Sequence, residues 1–234
     1  MTTIRPAADR GQTRIGWLDS RHTFSFADYH DARHTGFRSL RVINDDRIAG
    51  GGGFDMHPHR DMEIVTVVLE GRLAHRDSMG HASTLGPGGV QRMSAGTGVF
   101  HSEHNPDPDA PLHLLQIWIH PVRRGIAPAY AEGHFDAITA PGPVRPIVDP
   151  AGQDGALGIQ QDARILVAHL APGQHHTHAI ASGRSAWVHV YRGALRVHGE
   201  DLAAGDAMAL EDEPEAVRLE AGEQAGAALI FDLA

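Results

Sequence analysis

Met62-Glu-Ile-Val-Thr-Val-Val-Leu69 runs into Glu70-Gly71 and returns as Arg72-Leu-Ala-His-Arg-Asp77. β-branched and apolar side chains stand on both parities of the first segment, the pattern of a strand covered on both faces inside a sandwich. Glu70-Gly71 is turn chemistry, so the two segments read as a hairpin. Outward from it the same vocabulary repeats. Thr84-Leu-Gly86-Pro87-Gly88-Gly89 is a turn, Val90-Gln-Arg-Met-Ser94 a strand, and Leu112-His-Leu-Leu-Gln-Ile-Trp-Ile119 a longer strand stopped by Pro121. On the other side, Leu40-Arg-Val-Ile-Asn-Asp-Asp46 reads as a short strand entering a turn. His22-Thr-Phe24-Ser-Phe26-Ala-Asp-Tyr29, with its alternating aromatics, reads as a half-buried strand. Many short strands punctuated by Gly and Pro, with little helical periodicity, predict an all-β sandwich or barrel.

The second half echoes the first. Val68-Leu-Glu-Gly71-Arg-Leu73 has a counterpart in Val190-Tyr-Arg-Gly193-Ala-Leu195, and Leu85-Gly-Pro-Gly88 is answered by Leu202-Ala-Ala-Gly205. The chain therefore reads as two copies of one β-unit, residues 1–120 and 161–234. Between them, residues 121–160 hold Pro128, Pro141, Pro143, Pro146 and Pro150 among Gly and Asp, which predicts a linker with a short helical turn near Tyr130.

Bulk properties exclude several roles. A formal charge of −9 across 234 residues leaves nothing to neutralise a phosphate backbone, so direct nucleic-acid binding is not expected. No apolar run approaches the roughly 18 residues of a membrane-spanning helix. The N-terminus lacks the basic-then-apolar layout of a secretion signal, so a cytoplasmic location is the expectation. Zero cysteines remove disulfides and thiolate ligands; any metal must be held by nitrogen and oxygen.

Two clusters stand apart from the scatter of 18 histidines. His57 and His59 are one residue apart, so an extended chain projects them from one face, and Pro58 favours the extended form at His57. Glu63 shares their parity. Some forty residues on, His101 and Glu103 form a second same-face pair. If two strands bring the clusters side by side, up to three imidazoles and a carboxylate converge. Such a nitrogen and oxygen set suits Fe, Mn, Ni, Cu or Zn, and ligand type alone does not choose among them. His75, His81, His113, His120, His134, His169, His189 and His198 lack this patterning and read as structural or solvated. His104 has the wrong parity to join His101, and Asn105 reads as a brace for its loop.

Gly51-(five residues)-His57-Pro-His59-(three residues)-Glu63 resembles the first motif of the cupin superfamily, and Gly96-Thr-Gly98-Val-Phe-His101-(three residues)-Asn105 the second. Gly71 stands one residue late, and Gly96 occupies a place where cupins often carry proline. The resemblance to the pirin family is closer. It is carried by Gly16-Trp-Leu18, His22-Thr-Phe-Ser-Phe26, Leu40-Arg-Val-Ile-Asn-Asp45, His57-Pro-His59-Arg-Asp-Met-Glu63, His75-Arg-Asp-Ser-Met79, Gln91-Arg-Met-Ser-Ala-Gly96, His101-Ser-Glu103 and Leu115-Gln-Ile-Trp-Ile119. It implies a bicupin, two jelly-roll (double-stranded β-helix) barrels in one chain, with the metal in the N-terminal barrel. Carried over residue by residue, it implies His57, His59, His101 and Glu103 as ligands, with Glu63 nearby as a brace or base. In the second unit Gly173-Gln-His175-His176-Thr-His178 resembles a first motif, yet no histidine follows Gly205, so that barrel is expected to be metal-free.

The resemblance is to bacterial pirin-like proteins of the quercetin 2,3-dioxygenase type. It implies one divalent transition metal, iron foremost, with Ni, Mn, Cu and Zn as alternatives. The substrates are then a small aromatic enol such as the flavonol quercetin, and dioxygen; the metal acidifies the 3-hydroxyl, and Glu103 or Glu63 takes its proton. The alternative from the same family is a metal-loaded regulatory protein acting through a protein partner, in which turnover is incidental.

Overall fold

A computed structural model gives the structure of the protein, describing residues 1–211 and 215–234. Strands dominate; the only helical pieces among the described residues are three short 3-10 turns. No helix among them is long and apolar enough to cross a membrane.

The strands form four sheets. In the N-terminal half a seven-stranded sheet includes Leu18–His22, Leu40–Ile48, Glu63–Glu70, Gly89–Ser94 and Leu112–Ile119. It faces a four-stranded sheet of Gly53–His59, Val99–His104, Leu73–Asp77 and Ala82–Leu85. The C-terminal half repeats the plan, with a seven-stranded sheet built on Ala163–Leu170, Ser185–Arg192 and Gly226–Leu233. Its four-stranded sheet holds His175–Ala179, Ala194–Val197, Glu200–Ala203 and Ala216–Glu220. The two-barrel expectation holds.

Period-two alternation decides where each side chain goes. From Glu63–Glu70, Val65, Val67 and Leu69 enter a core shared by both halves, as do Leu115, Ile117 and Ile119 of the neighbouring strand. Ile165, Val167, Leu229 and Phe231 meet them from the second half. The intervening residues point the other way: Val68 and Leu114 into the first barrel, Leu166, Ala168, Ala228 and Ile230 into the second. A strand buried on both faces is thus one that lines a barrel and the inter-barrel core at once.

The sequence echo corresponds to a shared turn. Gly71 and Gly193 have φ of 75° and 63°. A Cβ on either would lie 2.4 Å from a carbonyl oxygen of the chain entering the next central strand, that of Pro111 or Ala225. Only glycine satisfies both the left-handed backbone and the close approach.

Three expectations need correcting. His22–Tyr29 is not a strand: His22 ends Leu18–His22, and the chain turns at Ala27 (φ 49°) to close a bridge between Phe26 and Tyr29. Its aromatic spacing reflects burial of Phe24 in the inter-barrel core rather than a ladder. Tyr130 lies on a strand, Ala129–His134, paired with Gly89–Ser94, and not in a helical turn. The Pro-rich segment also supplies Arg145–Asp149 to the second half's sheet, proline being tolerated near sheet edges. The N-terminal strand Thr2–Arg5 crosses over and pairs with Ala207–Leu210 of the second half.

Candidate metal centre

The centre sits on the four-stranded sheet of the first barrel. Gly53–His59 and Val99–His104 are antiparallel neighbours in which His101 lies opposite His57 and Val99 opposite His59. Alternation sends His57, His59 and His101 to the same face, and their ring centroids are 4.5 to 4.9 Å apart. One nitrogen from each lies within 4.8 Å of the others. The three imidazoles thus converge, while the carboxylate of Glu103 groups with His101 and His75.

Each ring is prepared to offer a lone pair. His57 donates from Nδ1 to the carbonyl oxygen of Asp55 (2.8 Å), leaving Nε2 free. His59 and His101 are held neutral, lowered to about 3, by burial first and then by repulsion from the neighbouring imidazoles. Both ring nitrogens of His101 are buried without a hydrogen-bond partner. Buried nitrogens are rarely left bare. Three imidazoles that each place a ring nitrogen within 4.8 Å of the others fit a divalent transition metal.

Glu103 follows His101 across a register shift at Phe54. Its carboxylate is sealed in the barrel, 2% exposed, within 4.8 Å of His101 and His75 ligand atoms. Three donors from the facing sheet hold it: Gln91 Nε2 at 2.7 Å and Thr66 Oγ1 at 3.1 Å on Oε1, and Gln116 Nε2 at 2.8 Å on Oε2. Burial pushes its carboxyl above the usual range, opposed by the His75 imidazole and the Thr66 bond.

Glu63 is elsewhere. The chain turns at Asp61 (φ 50°) between the two sheets, so parity counted from His57 is lost. Glu63 is fully buried and accepts from Ser94 Oγ (2.8 Å) and the Gln160 backbone N–H (3.3 Å). It shares the parity of Val65 and Val67, which face the inter-barrel core, and it does not line the cavity described below. The expected role of Glu63 as neighbour or base of the site does not match this placement. Burial pushes its carboxyl up as well.

His75, assigned from sequence to the structural background, lies against the centre. Its ring is 5.5 Å from that of His101 and stacks on Tyr130 at 4.7 Å, and its Nε2 faces Asp77 Oδ2 at 3.4 Å. Strand alternation from the buried Leu73 puts His75 and Asp77 on the inner face, a signal available in the sequence. His104 contacts Asp55 on the surface (3.2 Å), and Asn105 Nδ2 donates to the carbonyls of Ile48, Ala49 and Ala110, as the loop-brace reading expects.

A cavity of about 320 Å³ opens onto the centre. His57, His59, His101 and Glu103 line it, with Ile15, Phe26, Phe54, Ile64 and Trp118 as apolar walls and Thr13, Ser20, His22, Asn44 and Asp46 as a polar wall from the seven-stranded sheet. Trp118 stands edge-on to His59 at 5.0 Å. That volume and mixture are those of a small-molecule site. The second barrel has no equivalent among the described residues: its interior is filled by Leu166, Val188, Leu195, Val217, Leu219, Ile230 and their neighbours. His178 instead meets Asp232, which also pairs with Arg184.

The pirin family model matches residues 3–119, and that of the quercetinase C-terminal cupin domain matches residues 147–233. The chain is 43% identical over 233 residues to a quercetin 2,3-dioxygenase of Escherichia coli strain K12, covering 100% of this chain and 99% of that one. It is 38% identical over 214 residues to a pirin-like protein of Caulobacter vibrioides, covering 91% and 92%. The crystal structure of YhhW from Escherichia coli superposes with a TM-score of 0.95 at 43% identity, covering 100% of this chain and 98% of that one. Its complex with nickel(II) gives 0.94 at 42%, covering 100% and 99%. Two stacked barrels, one with a hollow imidazole-lined interior and one packed solid, are thus accounted for by descent: the chain is a bicupin and belongs to the pirin family.

Proposed function

We propose that the protein is a metal-dependent dioxygenase that opens the ring of a flavonol such as quercetin with dioxygen. The observation that carries this is the pairing of three converging imidazoles with a largely apolar cavity that they line. His57, His59, His101 and Glu103 would hold one divalent transition metal. Iron and nickel both suit a three-nitrogen, one-oxygen set, and the Escherichia coli relative is known with nickel(II). Bound there, the ion supplies Lewis acidity, lowering the pKa of a coordinated hydroxyl.

The chain's own residues do the rest. Gln91, Thr66 and Gln116 fix the Glu103 carboxylate so that it is oriented before any ligand arrives. Phe26, Phe54 and Trp118 wall the cavity with aromatic surface suited to a planar polyphenol and exclude water from it. Once its hydroxyl proton is lost, the enolate is the electron-rich partner for dioxygen. Flavonol and dioxygen give a ring-opened carboxylic acid and carbon monoxide, with no further oxidant required.

Elemental analysis of untagged, unheated protein, followed by oxygen uptake with quercetin, tests the proposal. Stoichiometric metal with flavonol-dependent uptake is expected; metal-replete protein that consumes no oxygen with flavonols refutes it. One observation favours the regulatory reading: Met56 and Phe100 are half exposed on the outer face of the two histidine-bearing strands, and Phe100 is the cross-strand partner of exposed Pro58. Such a patch suits a protein partner. Partner binding that follows metal oxidation state in protein inert toward flavonols would establish that role instead.

A further inference from the structure

The polar wall of the cavity holds one acid that nothing above uses. Asp46 lies on Leu40–Ile48, 3% exposed, beside Ser20 of the adjoining strand. Ser20 Oγ donates to its Oδ1. Its Oδ2 accepts no hydrogen bond among the described residues, and, unlike Oε1 of Glu63, it is not a sealed, solvent-excluded atom; Asp46 lines the cavity. Among the described residues no cation pairs with it, although its neighbour Asp45 contacts both Arg10 and His113.

Every other acid-base group of the cavity is committed. One ring nitrogen of each of His57, His59 and His101 lies within 4.8 Å of the others, as the proposed metal site requires. Glu103 is held by three donors and is itself one of the proposed metal ligands. His22 contacts Asn44 through Nδ1 and Thr13 through Nε2, both at 2.8 Å. We propose that Asp46 is the catalytic base, taking the proton of the substrate hydroxyl from the side of the cavity facing the imidazoles. The substrate O–H bond breaks, an O–H bond forms at Asp46 Oδ2, and the electron pair stays on the substrate oxygen as the enolate. After ring opening the proton returns to the carboxylate of the product, so the cycle balances with dioxygen as the sole co-reactant.

The electrostatics agree with the geometry. Burial raises Asp46, against the Ser20 bond and with the like charges of Asp45 and Glu103 adding to the rise, to about 7. A base poised there exchanges protons efficiently near neutrality. The groups facing it are His22 on the adjoining strand and Glu103 and the three imidazoles from the other sheet, while Asp45 adds like charge from the opposite face of its own strand.

The assignment rests on the flavonol reading of this cavity, and the test separates the two. Metal-loaded wild type, Asp46→Asn and Ser20→Ala are mixed with quercetin without oxygen at half-unit steps from pH 6 to pH 8, beside free quercetin at the same pH, and spectra are recorded before steady-state kinetics. Wild type should bind quercetin as its red-shifted anion. Asp46→Asn should bind it within about threefold of wild type but in the neutral form, with full metal content. Its kcat should fall by ~10²–10⁴ at nearly constant KM, the usual scale for removing a general base. The acidic limb of the wild-type kcat/KM profile should vanish in Asp46→Asn. In Ser20→Ala it should move to higher pH, since the carboxylate loses a donor. An Asp46→Asn protein that still forms the anion and turns over within threefold of wild type overturns the assignment alone. So does one that loses its metal, which would make Asp46 structural. Wild type that neither binds nor oxidises flavonols overturns the substrate reading and the assignment together.

Discussion

Asp46 should make the metal-free protein less stable as pH rises, and Asp46→Asn should remove that penalty. The side chain is buried without a cationic partner among the described residues, and its folded-state value of about 7 stands above the ordinary 3.8. A raised carboxyl means that the folded state binds more protons than the unfolded state between those two values. Stability is therefore greatest below about pH 4, declines through the interval, and levels off above about 7. Some three units at 1.36 kcal/mol each give about 4 kcal/mol for the whole decline. Asparagine has nearly the same shape, can still accept from Ser20, and does not titrate. The difference in unfolding free energy between Asp46→Asn and wild type should then grow by about 4 kcal/mol in favour of the variant between pH 4 and pH 8. Denaturant unfolding of chelator-treated protein at half-unit pH steps measures it. Loading the metal should flatten the wild-type curve, because a divalent cation in the cavity favours the ionised carboxylate. A difference that stays constant with pH would show that Asp46 is ionised in the fold at little cost, and the reasoning about its burial would be wrong.

His57→Ala should lose bound metal and flavonol-dependent oxygen uptake together; turnover without metal, seen by elemental analysis beside uptake, would refute the metal scheme. Gln116→Leu withdraws the 2.8 Å donor from Glu103 Oε2 and should weaken metal binding by roughly 10- to 100-fold in competition titrations with a chromophoric chelator, whereas unchanged affinity would remove Glu103 from the ligand set. Glu63→Gln, on the far side of the sheet, should leave metal content and kcat within about threefold of wild type, and a loss on the scale of a missing base would restore Glu63 to the site. Trp187→Ala should cost about 3–5 kcal/mol, because its ring packs 5.0 Å from Phe24 and 5.3 Å from Phe37 across the inter-barrel core; denaturation in which only one half is weakened would contradict a shared core.

The sequence made the strands and the imidazole cluster legible because both depend on alternation along a single strand. Leu112–Ile119 and the His57–His59 pair need no knowledge of distant residues. Glu63 was misplaced for the complementary reason. Parity holds only while the strand is unbroken, and the turn at Asp61 carries the chain from one sheet to the other. His75 was lost in a background of many histidines, although its alternation with Leu73 and Asp77 was readable. Asp46 could not be found at all from sequence. Asp45 and Asp46 are adjacent acids, and only the three-dimensional arrangement separates one in contact with Arg10 and His113 from one that meets Ser20 and lines the same cavity as the imidazoles.

The two barrels differ in a way that bears on why both are present. The first buries Thr66, His75, Gln91, His101, Glu103 and Gln116 in its interior, where hydrocarbon would pack more favourably and where each polar group needs a partner. Both nitrogens of His101 and Nδ1 of His75 have none among the described residues. A barrel hollowed for a site in this manner is a poor folding unit by itself. The second barrel fills the matching space with Leu, Val, Ile and Ala. The core between them draws on Val65, Val67, Leu115 and Ile117 from the back of the very strands whose other faces carry Thr66 and Gln116. Apolar burial on one face of each strand thus offsets the polar load on the other. The N-terminal strand Thr2–Arg5, laid into the far sheet, ties the halves further. On this view the solidly packed barrel is the support against which the hollow one can be built with its buried imidazoles and an acid that pairs with no cation among the described residues.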